Sequence, residues 1–242
     1  MQEKIKVITI GDYNISILKN YFKDNENIEF LKLALDESID NLNTNFSKRD
    51  IVFLRTNAEN LEKLLEVGKA LKEKEIITVT ILEEKLAIEN KEVLENSIDT
   101  IFPVNKKDDI ENLFLELIKM IYNIIFERCY INLDVEDVKY MLKDSGISVF
   151  GSLNINKTIS KEDIIKNINY PFYNKTLKDS RKLLVFLDTL KGFVFTEGEL
   201  ITDTLRNESG KTIEDMLFSI RMANRLKNRI ECSFIAGVFK EK

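Results

Sequence analysis

The sequence predicts an α/β protein: a doubly wound, mostly parallel sheet, then one long central helix, then a smaller α+β layer. Three observations predict it. Over residues 1–104, short β-branched runs alternate with longer amphipathic stretches, the pattern of strands separated by covering helices. Between 108 and 127, apolar residues recur at helical spacing in a stripe wide enough for a buried helix. In the last third, strand-like runs crowd towards the end of the chain, which suggests antiparallel edges.

The runs 5–10, 28–35, 51–54, 76–82 and 100–104 read as the strands of the first layer. Between the first two, Ile15, Leu18, Tyr21 and Phe22 fit one helical face; after the third, Leu61, Leu64, Leu65, Gly68 and Leu71 fit another. The long helix carries Ile110, Leu113, Phe114, Leu117, Ile118, Ile121, Ile124 and Ile125. The second half reads as a strand at 147–152, a helix at 161–169, a strand at 182–187, a helix at 197–206 and strands at 216–222 and 230–239. No low-complexity linker separates the halves, so the expected division is 1–106, a central helix with its following loop and helix at 107–145, and 146–242.

Composition narrows the function classes. The chain of 242 residues has 36 basic and 41 acidic side chains without a basic block, so nucleic acid is not an expected partner. It has no histidine, and Cys129 and Cys232 stand far apart without a CxxC partner. A zinc site, a disulfide framework and every histidine-dependent nucleophile are therefore not expected, and no metal is assigned. Charges within the first six residues and the lack of an 18-residue apolar run predict a soluble, cytoplasmic protein that does not bind membranes directly.

The run Tyr130-Ile-Asn-Leu-Asp-Val-Glu-Asp-Val-Lys-Tyr-Met-Leu follows the long helix. On spacing alone, Asp134 with Asp137 three positions later is an ordinary helix-start signal. The run also resembles the signature loop of the bacterial tubulin homologue FtsZ, Asn-Leu-Asp-x-x-Asp-Val, with Asn132, Asp134 and Asp137 in its polar positions. The likeness continues in order through Gly146-Ile-Ser-Val-Phe-Gly, Ile168-Asn-Tyr-Pro-Phe-Tyr, Arg181-Lys-Leu-Leu-Val-Phe-Leu and Ile235-Ala-Gly-Val-Phe, covering roughly 120–242. The resemblance implies a tubulin/FtsZ GTPase-type fold. It also implies that Asn132, Asp134 and Asp137 work in trans, reaching the nucleotide of a neighbouring subunit and orienting the attacking water there. Capping and that inherited use are compatible roles for the same residues.

The amino-terminal half departs from the family. Its first strand enters Gly11-Asp-Tyr-Asn where FtsZ has a run of glycines, so only Gly11 and Asn14 are retained, and Asp12 adds a carboxylate. The second glycine signature is replaced by Arg55-Thr-Asn-Ala-Glu-Asn-Leu. Backbone N–H groups cradle phosphate only where side chains do not intervene, so Gly11, Asp12, Asn14, Arg55 and Thr56, with Asn105, which the resemblance of Ile98-Asp-Thr-Ile-Phe-Pro-Val-Asn to the family places near the base, are expected as a vestigial site at most. About 14 residues separate Leu35 from Asp50, where the resemblance implies a longer phosphate-proximal excursion. Arg55 is read first as solvating its strand end, with anion pairing as the alternative. The lysines at 69–74 and Lys106-Lys107 are read as solvated faces.

The leading expectation is thus an FtsZ-like pseudo-GTPase without turnover or cofactor of its own, an interaction or filament component in bacterial cell division. Its partners would be FtsZ or like subunits, including copies of itself. One alternative is a nucleotide-independent homo-oligomer. Another is a divergent protein that binds GTP or GDP through Arg55, Thr56 and Asn105. The sequence ends close to its last strand, so recruitment is expected through filament contacts rather than a flexible tail.

Overall fold

The computed structural model describes residues 3–42, 44–105, 109–155, 160–170, 176–190, 192–223, 226 and 229–238. Lys106, Lys107, residues 171–175 with the end of the third resembling stretch, and the last residues from 239 lie outside them. The chain divides into two compact units, Met1–Ile118 with Leu142–Ile147, and Lys119–Met141 with Ser148–Lys242.

In the first unit, six parallel strands run β1 (Ile5–Ile10), β2 (Ile28–Leu33), β3 (Ile51–Arg55), β4 (Ile77–Glu83), β5 (Thr100–Val104) and β6 (Gly146–Ile147). Their order across the sheet is β2-β1-β3-β4-β5-β6. The strands β1, β3 and β5 are buried at every position, which is why they read as continuous apolar runs rather than alternating ones. The chain moves outward from β1 to β2 and then returns past β1 to β3. That reversal is a topological switch point, and it opens a crevice beyond the carboxyl ends of β1 and β3.

Helices α1 (Ser16–Tyr21), α2 (Leu61–Glu73), α3 (Glu84–Glu89) and α4 (Lys91–Ser97) fill the connections. Leu64, Val67 and Leu71 of α2 join Ile8, Ile10, Val52, Leu54 and Ile101 in one core cluster. Ile15, Leu18 and Phe22 are buried as assigned, whereas Tyr21 is 55% exposed and leaves that face. Two short helices, α3 and α4, divide the segment between β4 and β5, for which the sequence had indicated only helical character.

The long helix α5 (Ile110–Phe126) lies where its periodicity predicts, with Phe114 edge-on to Phe53 at 5.9 Å. The short connection from β2 to β3 is fastened by a buried ion cluster. Lys6, 2% exposed, donates to Glu29 Oε2 at 2.7 Å and to the Asn45 carbonyl at 3.1 Å, and lies 3.8 Å from Asp50. Asp50 accepts from the Ser47 and Lys4 amides, and burial pushes its carboxyl above the ordinary range.

The strand expected over 147–152 is two strands. Ser148 separates β6, which pairs with β5 in the first sheet, from β7 (Val149–Ile155), which belongs to the second. Both halves are apolar because both are buried, so hydrophobicity alone cannot reveal the change of sheet. The second unit continues α6 (Val135–Leu142), β7, α7 (Lys161–Asn167), β8 (Lys182–Thr189), α8 (Phe195–Glu208), β9 (Asp215–Met222) and β10 (Ile230–Gly237). Its sheet runs β7-β10-β8-β9, with β10 antiparallel to both neighbours and β9 parallel to β8. Gly151 and Phe234 are cross-strand partners, and a Cβ on Gly151 would stand 2.0 Å from the Phe234 ring. The glycine is required because that ring lies over its backbone.

Candidate functional site

The crevice at the switch point is built from the turn after β1 and the end of β3. Gly11 has φ +71°, a left-handed conformation that glycine adopts freely, and its amide donates to the Leu33 carbonyl at 2.9 Å. The turn then presents Asp12 outward, where Lys32 donates to its carboxylate at 2.6 Å and holds the Asp12 pKa below the ordinary carboxylate value. The charge that would oppose a phosphate here is thus offset by a neighbouring lysine. Asn14 accepts from the Ser16 amide at 2.9 Å, an Asx turn one residue ahead of Ile15, the N-cap of α1.

Tyr13 and Arg55 meet across the crevice. Arg55 closes β3 and is 5% exposed, which overturns its reading as a solvated strand end. The guanidinium is covered because Tyr13, 42 positions earlier, stacks over it at 4.1 Å and bonds its hydroxyl to Nη2. Nη1 donates to the carbonyls of Thr56 at 3.1 Å and Ile81 at 3.0 Å, tying β3 to β4. Nε has no partner among the described residues, and no carboxylate among them lies within ion-pairing distance. Burial lowers the Arg55 pKa, while Tyr13 and the more distant Glu111 oppose that shift. Thr56 is buried, its hydroxyl donating to the Ile10 carbonyl at 3.4 Å.

Asn105 is exposed just after β5 and lines a different cavity of about 410 Å³ with Glu83, Glu84, Lys85, Ile88 and Glu89. The structure therefore brings Tyr13 onto Arg55 and ties Thr56 to the end of β1, turns Asp12 and Asn14 to Lys32 and Ser16, and gives Asn105 a separate, acidic cavity. Tyr13 is the member that sequence reasoning missed. It was visible only as a residue replacing glycine, and its partner lies on another strand.

In the second unit, the loop before α6 is anchored to the outer edge of β9. Ile131 forms an antiparallel bridge with Ile220, and Ser219 Oγ donates to the Ile131 carbonyl at 2.8 Å. Asn132 turns back so that its Oδ1 accepts from the Cys129 amide at 3.0 Å. Asp134 Oδ1 accepts from the Asp137 amide at 2.9 Å, and Asp137 Oδ2 accepts from the Asp134 amide at 3.0 Å. This reciprocal pair satisfies two helix-start donors. Each carboxylate keeps a second oxygen with no partner among the described residues, and Asp134 is exposed. Beside the loop, Tyr130 packs on Phe195 at 5.4 Å, and both line a cavity of about 310 Å³ with Phe193, Val194, Ile220 and Met222.

Among the described residues no group of acids and cysteines could hold a metal ion, and no helix is long and apolar enough to cross a membrane. Neither a protein-family model nor a curated protein sequence matches the chain. Solved structures do. An FtsZ dimer from M. jannaschii, described as empty, superposes with TM-score 0.73 at 14% identity, covering 98% of this chain and 89% of that one. A point mutant of FtsZ from M. jannaschii gives 0.71 at 13% identity, covering 98% and 91%. GDP-form protofilaments of TubZ from Bacillus thuringiensis serovar israelensis give 0.66 at 11% identity, covering 98% and 84%. The chain has the tubulin/FtsZ-type fold.

Proposed function

We propose that this chain, carrying the fold of FtsZ and TubZ, is an assembling protein that turns over no nucleotide of its own and acts through the 132–137 loop on a neighbouring subunit. The observation that carries the reading is the Tyr13–Arg55 pair. A nucleotide's phosphates need several converging backbone N–H groups, and the crevice at the switch point instead holds an aromatic ring stacked on a buried guanidinium. Of the glycines that would open such a cradle, the turn after β1 keeps only Gly11 and the turn after β3 has none. No step of phosphoryl transfer is assigned within the chain.

The loop is the working surface in this reading. Its bridge to β9 fixes the backbone, the cap fixes both aspartates, and each carboxylate retains an oxygen for a partner. Placed against a nucleotide-bearing subunit, Asp134 and Asp137 would polarise water beside a phosphate held by that subunit. The setting is a bacterial cell-division or related filament system, with FtsZ or an FtsZ-like subunit as partner. Co-sedimentation with the host's FtsZ and GTP tests it. The expected result is a dose-dependent change in polymer mass or GTPase rate, and no change at excess protein removes this reading.

A second reading, a nucleotide-independent assembly of identical chains, is favoured by the apolar surface beside the loop. Tyr130, Val194, Phe195 and Met222 are 62%, 53%, 46% and 50% exposed around one cavity. Clustered exposure of that kind marks association surfaces more often than scattered apolar residues do. Two of the matching solved structures are a dimer and protofilaments, which supports self-association for this chain. Size-exclusion chromatography with light scattering checks it: species growing with concentration, and reverting to monomer in Phe195→Ser, are expected. A concentration-independent monomer contradicts it.

A further inference from the structure

We infer that the buried, half-unpaired edge of Arg55 is a binding site for one small oxyanion, which reaches it when the Tyr13 hydroxyl, its competitor, swings away. This goes beyond the assembly reading and does not require it. Arg55 is 5% exposed, yet no carboxylate among the described residues pairs with it. A cation taken out of water without a counter-ion is costly, and the hydrogen bonds it makes recover only part of the loss. Both N–H groups of Nη1 are spent on the Thr56 and Ile81 carbonyls. The Tyr13 hydroxyl takes one on Nη2, and Nε has nothing.

Nε–H and Nη2 point along the same edge of the planar guanidinium, the edge that grips two oxygens of a carboxylate or phosphate side by side. The unmet donor is thus half of a bidentate fork, and the other half is closed only by a phenol. Tyr13 is half-buried on the turn after Gly11, outside any helix or strand, so its side chain can swing away without disturbing the sheet. The crevice offers one such fork and no glycine-lined row of amides. It therefore selects a single oxyanion group over a polyphosphate chain.

The probe is inorganic phosphate, read as the thermal-unfolding midpoint against potassium chloride at matched ionic strength. Wild-type protein is expected to gain stability saturably with phosphate and not with chloride. Tyr13→Phe, which keeps the ring but frees Nη2, is expected to bind at least about threefold tighter by the same titration. Arg55→Lys, which keeps the charge but loses the fork, is expected to lose the effect. A wild-type response no larger than that to chloride, or one unchanged in Arg55→Lys, overturns the inference. Should Arg55→Lys not fold, Tyr13→Phe decides alone, and affinity equal to or weaker than wild type overturns it. GTP forms a separate arm: stabilisation by phosphate without stabilisation by GTP upholds both conclusions. Stabilisation by GTP beyond that by phosphate sinks the nucleotide-free reading while leaving the fork in place, and response to neither sinks only the oxyanion site.

Discussion

Tyr13 and Arg55 form a stacked, hydrogen-bonded pair between the turn after β1 and the end of β3. The guanidinium joins β3 to β4 through two carbonyls, and the phenol closes it from the turn after β1. Removing the hydroxyl alone deletes a hydrogen bond to a charged donor, so Tyr13→Phe is expected to lower stability in phosphate-free buffer by about 1–2 kcal/mol in urea unfolding. Arg55→Ala also strands the Thr56 and Ile81 carbonyls and leaves a void, so it is expected to cost more, about 3 kcal/mol. An Arg55→Ala protein as stable as wild type would show that the pair is ornamental to the fold. The sequence revealed the missing glycines because glycine's absence is a local fact. It placed Arg55 in solvent because the residue that buries it is 42 positions away, and no periodicity connects them.

Elements carry the next group of expectations, beginning with α6. Its reciprocal cap was legible from the spacing of Asp134 and Asp137, and the structure realises it in full. Asp134→Ala should cost about 1 kcal/mol, whereas Asp134→Asn keeps an acceptor at the cap and should cost less than about 0.5 kcal/mol. The asparagine variant thereby separates the two uses of the residue: stability kept with loss of effect on a partner's GTPase identifies the carboxylate as functional, and an unchanged effect leaves only the cap. In the second sheet, Gly151→Ala drives a methyl into the Phe234 ring and is expected to destabilise by about 3 kcal/mol, with Phe234→Leu in the same chain restoring part of it.

At the start of α8, Glu197 pairs with Arg229 at 2.6 Å and accepts from the Val194 amide, and the pair with Arg229 is the main cause holding its pKa below the ordinary glutamate value. A depressed folded pKa contributes stability that is present above the unfolded value of about 4.3 and is lost as pH falls through the folded one. Glu197→Gln should therefore lower stability at neutral pH and flatten the acid limb, which urea titrations between pH 3 and 7 would register. Strand and helix existence was largely legible from apolar runs and period. The break at Ser148 was not, because Ile147 on one side and Val149 and Phe150 on the other are all buried and read as one apolar run although they serve different sheets.

At the scale of the whole molecule, the fold class was readable because the order of elements, parallel strands, long helix, then mixed sheet, survives at 13–14% identity to solved FtsZ structures. What the molecule does with that fold depends on loops, where single residues change the chemistry while the sheet stays put. In the first unit the Tyr13–Arg55 pair closes the turn after β1 against the end of β3; in the second, each loop aspartate keeps one oxygen with no partner among the described residues. Assembly is accordingly expected to proceed equally with and without GTP when followed by light scattering. The most direct test of the central claim is a calorimetric titration of the purified chain with GTP, with GDP and ATP alongside. The account predicts no saturable heat into the millimolar range. A submillimolar dissociation constant for GTP would contradict it and restore the crevice as a nucleotide site.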